Sequence, residues 1–287
     1  MIRITSQPTP SNNESLPGIL TDAAEVAFAT HAACRAYYKP NRAMIQGLVS
    51  ERPFEVKSFA HFDTASLLPA EVAYLPAVGE GFLSFNTDDV PANNGNLYTE
   101  SGLAVLDFHA GFTMGVVFRA PPNGGGALIG NMVNQQKNGV NADNQRWAGI
   151  ALGFGSTVNL GELCAMFTGQ SIRVDPPGAN DWRDSKWHVA VAIFDYVNQI
   201  LKIRVDGGLE ASAGTATGGG ELRDITTVGG GQRLRVAATG LAGGATDYQF
   251  KGDIARAAVI ASGSVSPSLV TNWETSMIDQ FGITRRA

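Results

Sequence analysis

Beyond about residue 110, apolar residues alternate with small or polar ones at a period of two. Phe112, Met114, Val116 and Phe118 alternate with Thr113, Gly115, Val117 and Arg119 until Pro121-Pro122 and the glycines that follow stop the run. Ala148, Ile150, Leu152 and Phe154 give a second apolar face, and Leu163, Ala165 and Phe167 a third. Trp187–Phe194 and Ile200–Val205, joined through Asn198, read as a hairpin. Leu234, Val236 and Ala238 are expected to face inward, with Arg233 and Arg235 outward. Phe250–Ile260 reads as a last strand, and Ser266-Pro267 opens a closing helix with Ser at the N-cap and Pro in the first turn. Side chains on a strand point alternately to opposite faces, so many short runs of this kind predict an all-β, antiparallel two-sheet sandwich. No parallel βαβ period is visible.

Residues 1–80 read differently. Residues 1–20 are rich in Pro, Ser and Asn without periodicity, which predicts an extended arm that orders on a partner. Thr21-Asp22 caps a helix expected to run to about Tyr38, with Ala24, Ala27, Phe28 and His31 at helical spacing and Lys39-Pro40 ending it. A short apolar run, Met44 to Val49, is followed by a strand pattern from Phe54 to Phe59. Residues 64–80, broken by Pro69 and Pro76, read as a connector. The expected division is an arm and anchor over 1–80 and a sandwich over 81–287.

Composition sharpens this picture. Charged residues are 16% of the 287, against about 25% in ordinary domains, and 34 glycines replace them. The net charge is −5 with no Lys/Arg cluster, so the basic face that a nucleic-acid partner requires is missing. No apolar stretch approaches the roughly 18 residues of a membrane span. Met1 is followed by no apolar signal core, so export by the standard signal route is not expected. Cys34 and Cys164, far apart, are expected as two buried thiols rather than a bridge.

Asp184-Ser185-Lys186-Trp187-His188-Val189 resembles the Asp-x-x-Trp-His strand of laminin-G-like and pentraxin-like domains. Leu201-Lys202-Ile203-Arg204-Val205-Asp206-Gly207 is similar to the strand and Val-Asp-Gly turn that follow in that family. Phe250-Lys251-Gly252-Asp253-Ile254 resembles its final strand, and Gly111–Pro121 fits an early one. Together, in order, these motifs resemble the concanavalin A-like jelly roll. The resemblance implies a structural role for Trp187, His188, Asp206, Gly207, Phe250 and Gly252, with the Trp as a core anchor and the His on the opposite face. Residues 1–80 have no counterpart in it.

Catalytic chemistry is not apparent. Glycosidases need two carboxylates flanking one bond, and no alternating acidic strand occurs; nor does a nucleophile elbow or a zinc-binding helix. The candidate site lies on rim loops. Trp182 with Asn180 and Asp181 offers an aromatic face and planar polar groups to a glycan, and Asn141 and Asn144 form a second candidate. Asp181, Asp184 and Asp143 are candidate ligands for calcium, which the resemblance implies and hard oxygen donors suit; no other cofactor is expected. Three functions remain. The first is a non-enzymatic virion surface protein, a bacteriophage capsid-decoration or fibre component, anchored to other virion proteins through residues 1–80, a trimer, and able to adhere to a host cell-surface glycan. The second is a free carbohydrate-binding lectin module. The third, a polysaccharide-degrading enzyme on the same fold, fits least.

Overall fold

The computed structural model describes residues 22–40, 45–49, 52–56, 58–60, 67–69, 76–85, 97–99, 111–134, 147–148, 150–154, 162–167, 170–174, 182–195, 197–198, 200–214, 234–241, 246–247 and 249–286. They form an all-β sandwich with two short helices. An eight-stranded front sheet is ordered Leu209–Gly214, Ile200–Val205, Trp187–Asp195, Phe112–Arg119, Gly252–Ile260, Leu83–Phe85, Ala77–Val78, with Cys34–Tyr38 pairing the far half of Gly252–Ile260. A nine-stranded back sheet runs Gln170–Val174, Leu163–Phe167, Ile150–Phe154, Ala127–Gly130, Arg235–Val236, Leu97–Thr99, Leu67–Pro69, Arg52–Val56, Ile45–Val49. Described neighbours in both sheets pair antiparallel, for example Trp187 opposite Arg119 and Ile150 opposite Phe167. A small sheet of four short strands includes one parallel pairing, Val133 with Gly240.

The period of two builds the core. Met114, Val116 and Phe118 point inward with Ala190, Ala192, Phe194, Leu201 and Ile203, and meet Leu128, Leu152, Phe154 and Leu163 from the back sheet. Each of the larger side chains among them, fully buried, contributes about 1.5–3 kcal/mol. The alternate residues of the front sheet are buried too. Val117, Val189, Val191, Ala255 and Ala258 lie beneath the C-terminal helix Pro267–Phe281, which lays Val270, Trp273 and Met277 on them. Gly115 is required at the crossing, because a Cβ there would sit 2.8 Å from the Trp273 ring. The helix has Ser266 at its N-cap position, Pro267 in its first turn and Gly282 in the left-handed conformation at its end.

The N-terminal part departs from expectation. The helix is only Ala23–Ala29, capped by Asp22, whose side chain accepts from the backbone N–H groups of Ala24 and Glu25. The chain then turns, and Cys34–Tyr38 becomes a strand, because the open edge of Gly252–Ile260 satisfies its backbone and Tyr37 and Tyr38 fit the pleat. Leu67–Pro69 and Ala77–Val78 are strands rather than connector. The boundary at residue 80 is therefore corrected: described residues of 22–80 contribute strands to both sheets and side chains to both cores. Residues 1–20 lie outside the described residues. Glu25 fastens this part down. It accepts from Tyr37 Oη (2.8 Å), Arg256 Nε (2.6 Å) and Lys39 Nζ (2.8 Å), while Trp273 Nε1 donates to Tyr37 Oη at 3.1 Å. Burial opposes its ionisation, but Arg256 and Lys39 overcome that and hold its carboxyl below the usual range.

Arg235 is a second correction, since it is buried together with Leu234, Val236 and Ala237. The left-handed backbone at Ala237 (φ 68°) breaks the alternation there. Cys34 and Cys164 are buried free thiols in different sheets, and burial pushes the Cys34 thiol up to about 12. No helix among the described residues is long and apolar enough to cross a membrane.

Candidate functional site

Two polar constellations lie at the rim where the front-sheet strands end. The first is a clasp around His188. Its Nδ1 lies 2.9 Å from Asp206 Oδ2 and its Nε2 3.0 Å from Asp184 Oδ1. Asp206 Oδ1 accepts the Val189 backbone N–H at 3.0 Å. Asp206 adopts φ 50°, a left-handed turn that Asp tolerates better than most residues. His188 and Asp206 are both buried, and the Trp182 ring stands edge-on to the imidazole at 5.1 Å. Burial opposes a charge on His188, but Asp206 and then Asp184 outweigh it and hold its pKa above the ordinary imidazole value. The clasp joins the 182–188 segment, the 206–208 turn and the C-terminal tail, whose Arg286 N–H donates to the Asp206 carbonyl. With both ring nitrogens engaged by carboxylates, it is a structural tie.

The second is an open cleft of about 350 Å³, lined among the described residues by Phe85, Arg119, Pro121, Ser185, Lys251, Gly252 and Asp253. The register places Asp253 opposite Arg119. Arg119 Nε and Nη2 donate to Asp253 Oδ2 at 2.7 and 2.6 Å, and Ser84 Oγ donates to Asp253 Oδ1. The guanidinium carbon lies 4.8 Å from the Trp187 ring centroid and 5.3 Å from that of Phe82. Trp187 packs in turn on Phe82 and Phe281, so the Arg119 head rests against two adjoining rings. Gly252, at φ 144°, is required: a Cβ there would lie 2.4 Å from the Arg119 carbonyl oxygen. A bulge follows between Ile254 and Arg256, a device that re-aims side chains beside binding sites. Two further lining residues are pinned by backbone bonds, Ser185 N–H to the Ala120 carbonyl (2.9 Å) and Lys251 N–H to the Gly125 carbonyl (3.0 Å).

The residues expected from sequence are distributed unevenly over these features. Trp182 is corrected: its indole is 1% exposed and belongs to the sandwich core, so it offers no face to a sugar. Asn180, Asp181, Asn141, Asn144 and Asp143 lie outside the described residues. Asp184 does not fit a calcium ion, because cationic or N–H donors surround it: His188 Nε2 and Lys186 N–H at Oδ1, and Lys186 Nζ at 3.4 Å from Oδ2. The faces of Trp187 and His188 are the reverse of those implied by the resemblance. His188 shares its face with Ala190 and Phe194 and points into the sandwich, while Trp187 is half-buried on the outer face. Phe250 is core, and Gly207 takes the left-handed turn beside Asp206. Arg119, Ser84, Lys251 and Asp253 were missed as a site. Only strand register brings Ser84 and Arg119 to Asp253, and their sequence separations carry no motif.

No protein-family model matches the chain, and no curated protein matches it in sequence. Solved structures do. A Trypanosoma rangeli sialidase superposes with a TM-score of 0.52 at 14% identity, over 86% of this chain and 33% of that one. The binding domain of botulinum neurotoxin serotype D/C does so with 0.51 at 9% identity, over 85% and 52%. The CBM40 module of a Ruminococcus gnavus IT-sialidase matches with 0.40 at 16% identity, over 59% and 89%. The first two likenesses show a shared fold, in keeping with the all-β sandwich described above. This chain spans about a third and about half of those two proteins.

Proposed function

We propose that the chain is a non-catalytic carbohydrate-binding module of lectin type, with its ligand in the Arg119–Asp253 cleft. The observation that carries this reading is the cleft itself, in which a guanidinium resting against Trp187 and Phe82 lies beside a carboxylate, a lysine and a rim serine. Saccharides need fixed polar groups for their hydroxyls and apolar ring faces for their C–H groups, in a site that is formed before they arrive. Among the described residues the cleft lining has one carboxylate, Asp253, and Arg119 and Ser84 already engage it. Glycoside hydrolysis needs a pair, so binding fits this lining better than cleavage. The fold agrees with this reading, since the superposed neurotoxin segment is by its name a binding domain and the superposed chain of the trypanosome enzyme is a sialidase.

The expectation of a virus-particle protein drew on the missing signal core and the charge-poor, glycine-rich composition as well as on an anchor over residues 1–80. The described part of that range is woven into the sandwich, so the particle role draws no support from the architecture. The test is a saccharide-binding screen of the full chain by calorimetry. Binding should be found, and Arg119→Met should weaken it by at least about tenfold with the fold intact, the loss expected for one charge-assisted contact. A chain that binds no saccharide, or a variant that binds as well as the parent, would overturn the reading.

A further inference from the structure

We propose that His188 is a positioning residue for the cleft: through Asp184 it holds Ser185 on the cleft wall, so saccharide affinity falls when the imidazole loses a proton; this rests on the carbohydrate-binding reading above. Ser185 lines the cleft, and its backbone is left-handed at φ 63°. A residue with a Cβ adopts that conformation only where its surroundings hold it. Three ties do so. Ser185 N–H donates to the Ala120 carbonyl at 2.9 Å, and Asp184 Oδ1 accepts the Lys186 N–H at 2.9 Å across Ser185. The same Asp184 oxygen lies 3.0 Å from His188 Nε2, which ties the turn to the strand Trp187–Asp195. This third tie depends on a proton.

The protonated imidazole has two N–H donors, whereas the neutral ring has one donor and one lone pair. His188 faces Asp206 at Nδ1 and Asp184 at Nε2, so the arrangement is that of the protonated ring. Among the described residues its other neighbours are the Trp182 and Phe118 rings, at 5.1 and 5.7 Å. Two cations stand at the carboxylates: Arg286 Nε lies 3.9 Å from Asp206 Oδ2, beyond hydrogen-bond reach, and Lys186 Nζ lies 3.4 Å from Asp184 Oδ2. When one proton leaves, one carboxylate must face a lone pair. The Asp206 side chain is 1% exposed and that of Asp184 20%, so water and the Lys186 ammonium can replace the imidazole only at Asp184. The proton therefore leaves Nε2, Asp184 is released, and the left-handed turn at Ser185 loses its tie to the strand. Because Asp206 and Asp184 hold the His188 pKa up, this happens above the ordinary imidazole range. A wall that is in place for only part of the time lowers affinity in proportion.

The experiment follows the ¹⁵N-labelled full chain by NMR from about pH 6 to about pH 9, across the imidazole range and above it. The Ser185 amide should shift with the midpoint shown by the ring signals of His188 itself. The probes are neutral sugars, whose own charge is constant over this range: lactose, maltotriose, cellotriose, mannotriose and chitotriose. Affinity for those that bind should fall at least about threefold through the same midpoint. His188→Gln should remove this dependence. Asp184→Asn, at the more exposed end of the clasp, takes away the charge that the imidazolium balances and should flatten the profile as well. A saccharide that binds with the same affinity on both sides of the His188 midpoint would overturn the proposal and leave the carbohydrate reading standing. So would a Ser185 amide that ignores that midpoint, or a pH profile unchanged in Asp184→Asn. Binding of none of the five sugars would overturn both.

Discussion

Asp206 holds His188 and the backbone of the next residue with the same carboxylate: Oδ2 lies 2.9 Å from the imidazole Nδ1, and Oδ1 accepts the Val189 N–H at 3.0 Å. The pair thereby locks the 206–208 turn onto the start of the Trp187–Asp195 strand.

Its pH dependence follows from the directions of the shifts. His188 has a raised pKa in the fold, so its stabilisation is fully present below the ordinary imidazole value of about 6.5 and is lost as pH rises through the raised folded value. Asp184 and Glu25 have lowered values, so their stabilisation is present above the ordinary carboxylate range of about 4 and is lost as pH falls through the folded values. Thermal unfolding should therefore give the highest Tm between these limits, and His188→Gln should abolish the part of the alkaline fall that lies just above the imidazole range, below the pH at which the buried Cys34 thiol would ionise in the unfolded chain. An alkaline fall of the same size in that variant would show that His188 is not its source.

Trp182→Ala is expected to act on stability. The indole is fully buried against His188 and the core, and large-to-small changes at such sites cost about 3–5 kcal/mol. Denaturant melts should show this loss, and any saccharide affinity measured on the fraction that remains folded should be unchanged. A fully stable variant that has lost its affinity would restore Trp182 to the binding surface.

Glu25 binds two cations and a phenol from inside the protein, so Glu25→Ala leaves Arg256 buried without its carboxylate. Breaking such a pair costs about 3–5 kcal/mol. Urea titration of the variant measures this directly, and a change below about 1 kcal/mol would mean that the cluster contributes no more than a surface pair.

A chain truncated to begin at Gly81 should not fold to a compact monomer, because it lacks the strand that pairs Gly252–Ile260 and the Phe28 side chain packed on Trp273 at 5.0 Å. Circular dichroism and native mass decide this. A stable folded monomer would show that residues 1–80 are an appendage after all.

Legibility from sequence followed the physics of each element. Phe112–Arg119, Trp187–Asp195 and Ile200–Val205 were legible because one inward face imposes a period of two, and the closing helix because Ser266-Pro267 mark its start. Cys34–Tyr38 was not, since Ala, Phe and His at helical spacing also suit a short helix followed by a strand, and only the free edge of Gly252–Ile260 decides between them. The faces of Trp187 and His188 were inverted because two carboxylates, distant or four residues back in sequence, make an inward imidazole affordable while the helix end covers the indole. The cleft was illegible for a related reason. Arg119, Ser84 and Asp253 meet through pairing across three strands, and no local spacing signals that.

The most direct test of the central claim is the indole N–H spectrum of the ¹⁵N-labelled chain titrated with the saccharide that the screen selects. The Trp187 resonance, assigned by its loss in Trp187→Phe, should shift on binding because its ring packs on Arg119, while the buried Trp182 and Trp273 resonances should hold still. A saccharide that binds and shifts Trp182 while leaving Trp187 unmoved would contradict the assignment of the Arg119–Asp253 cleft as the binding site.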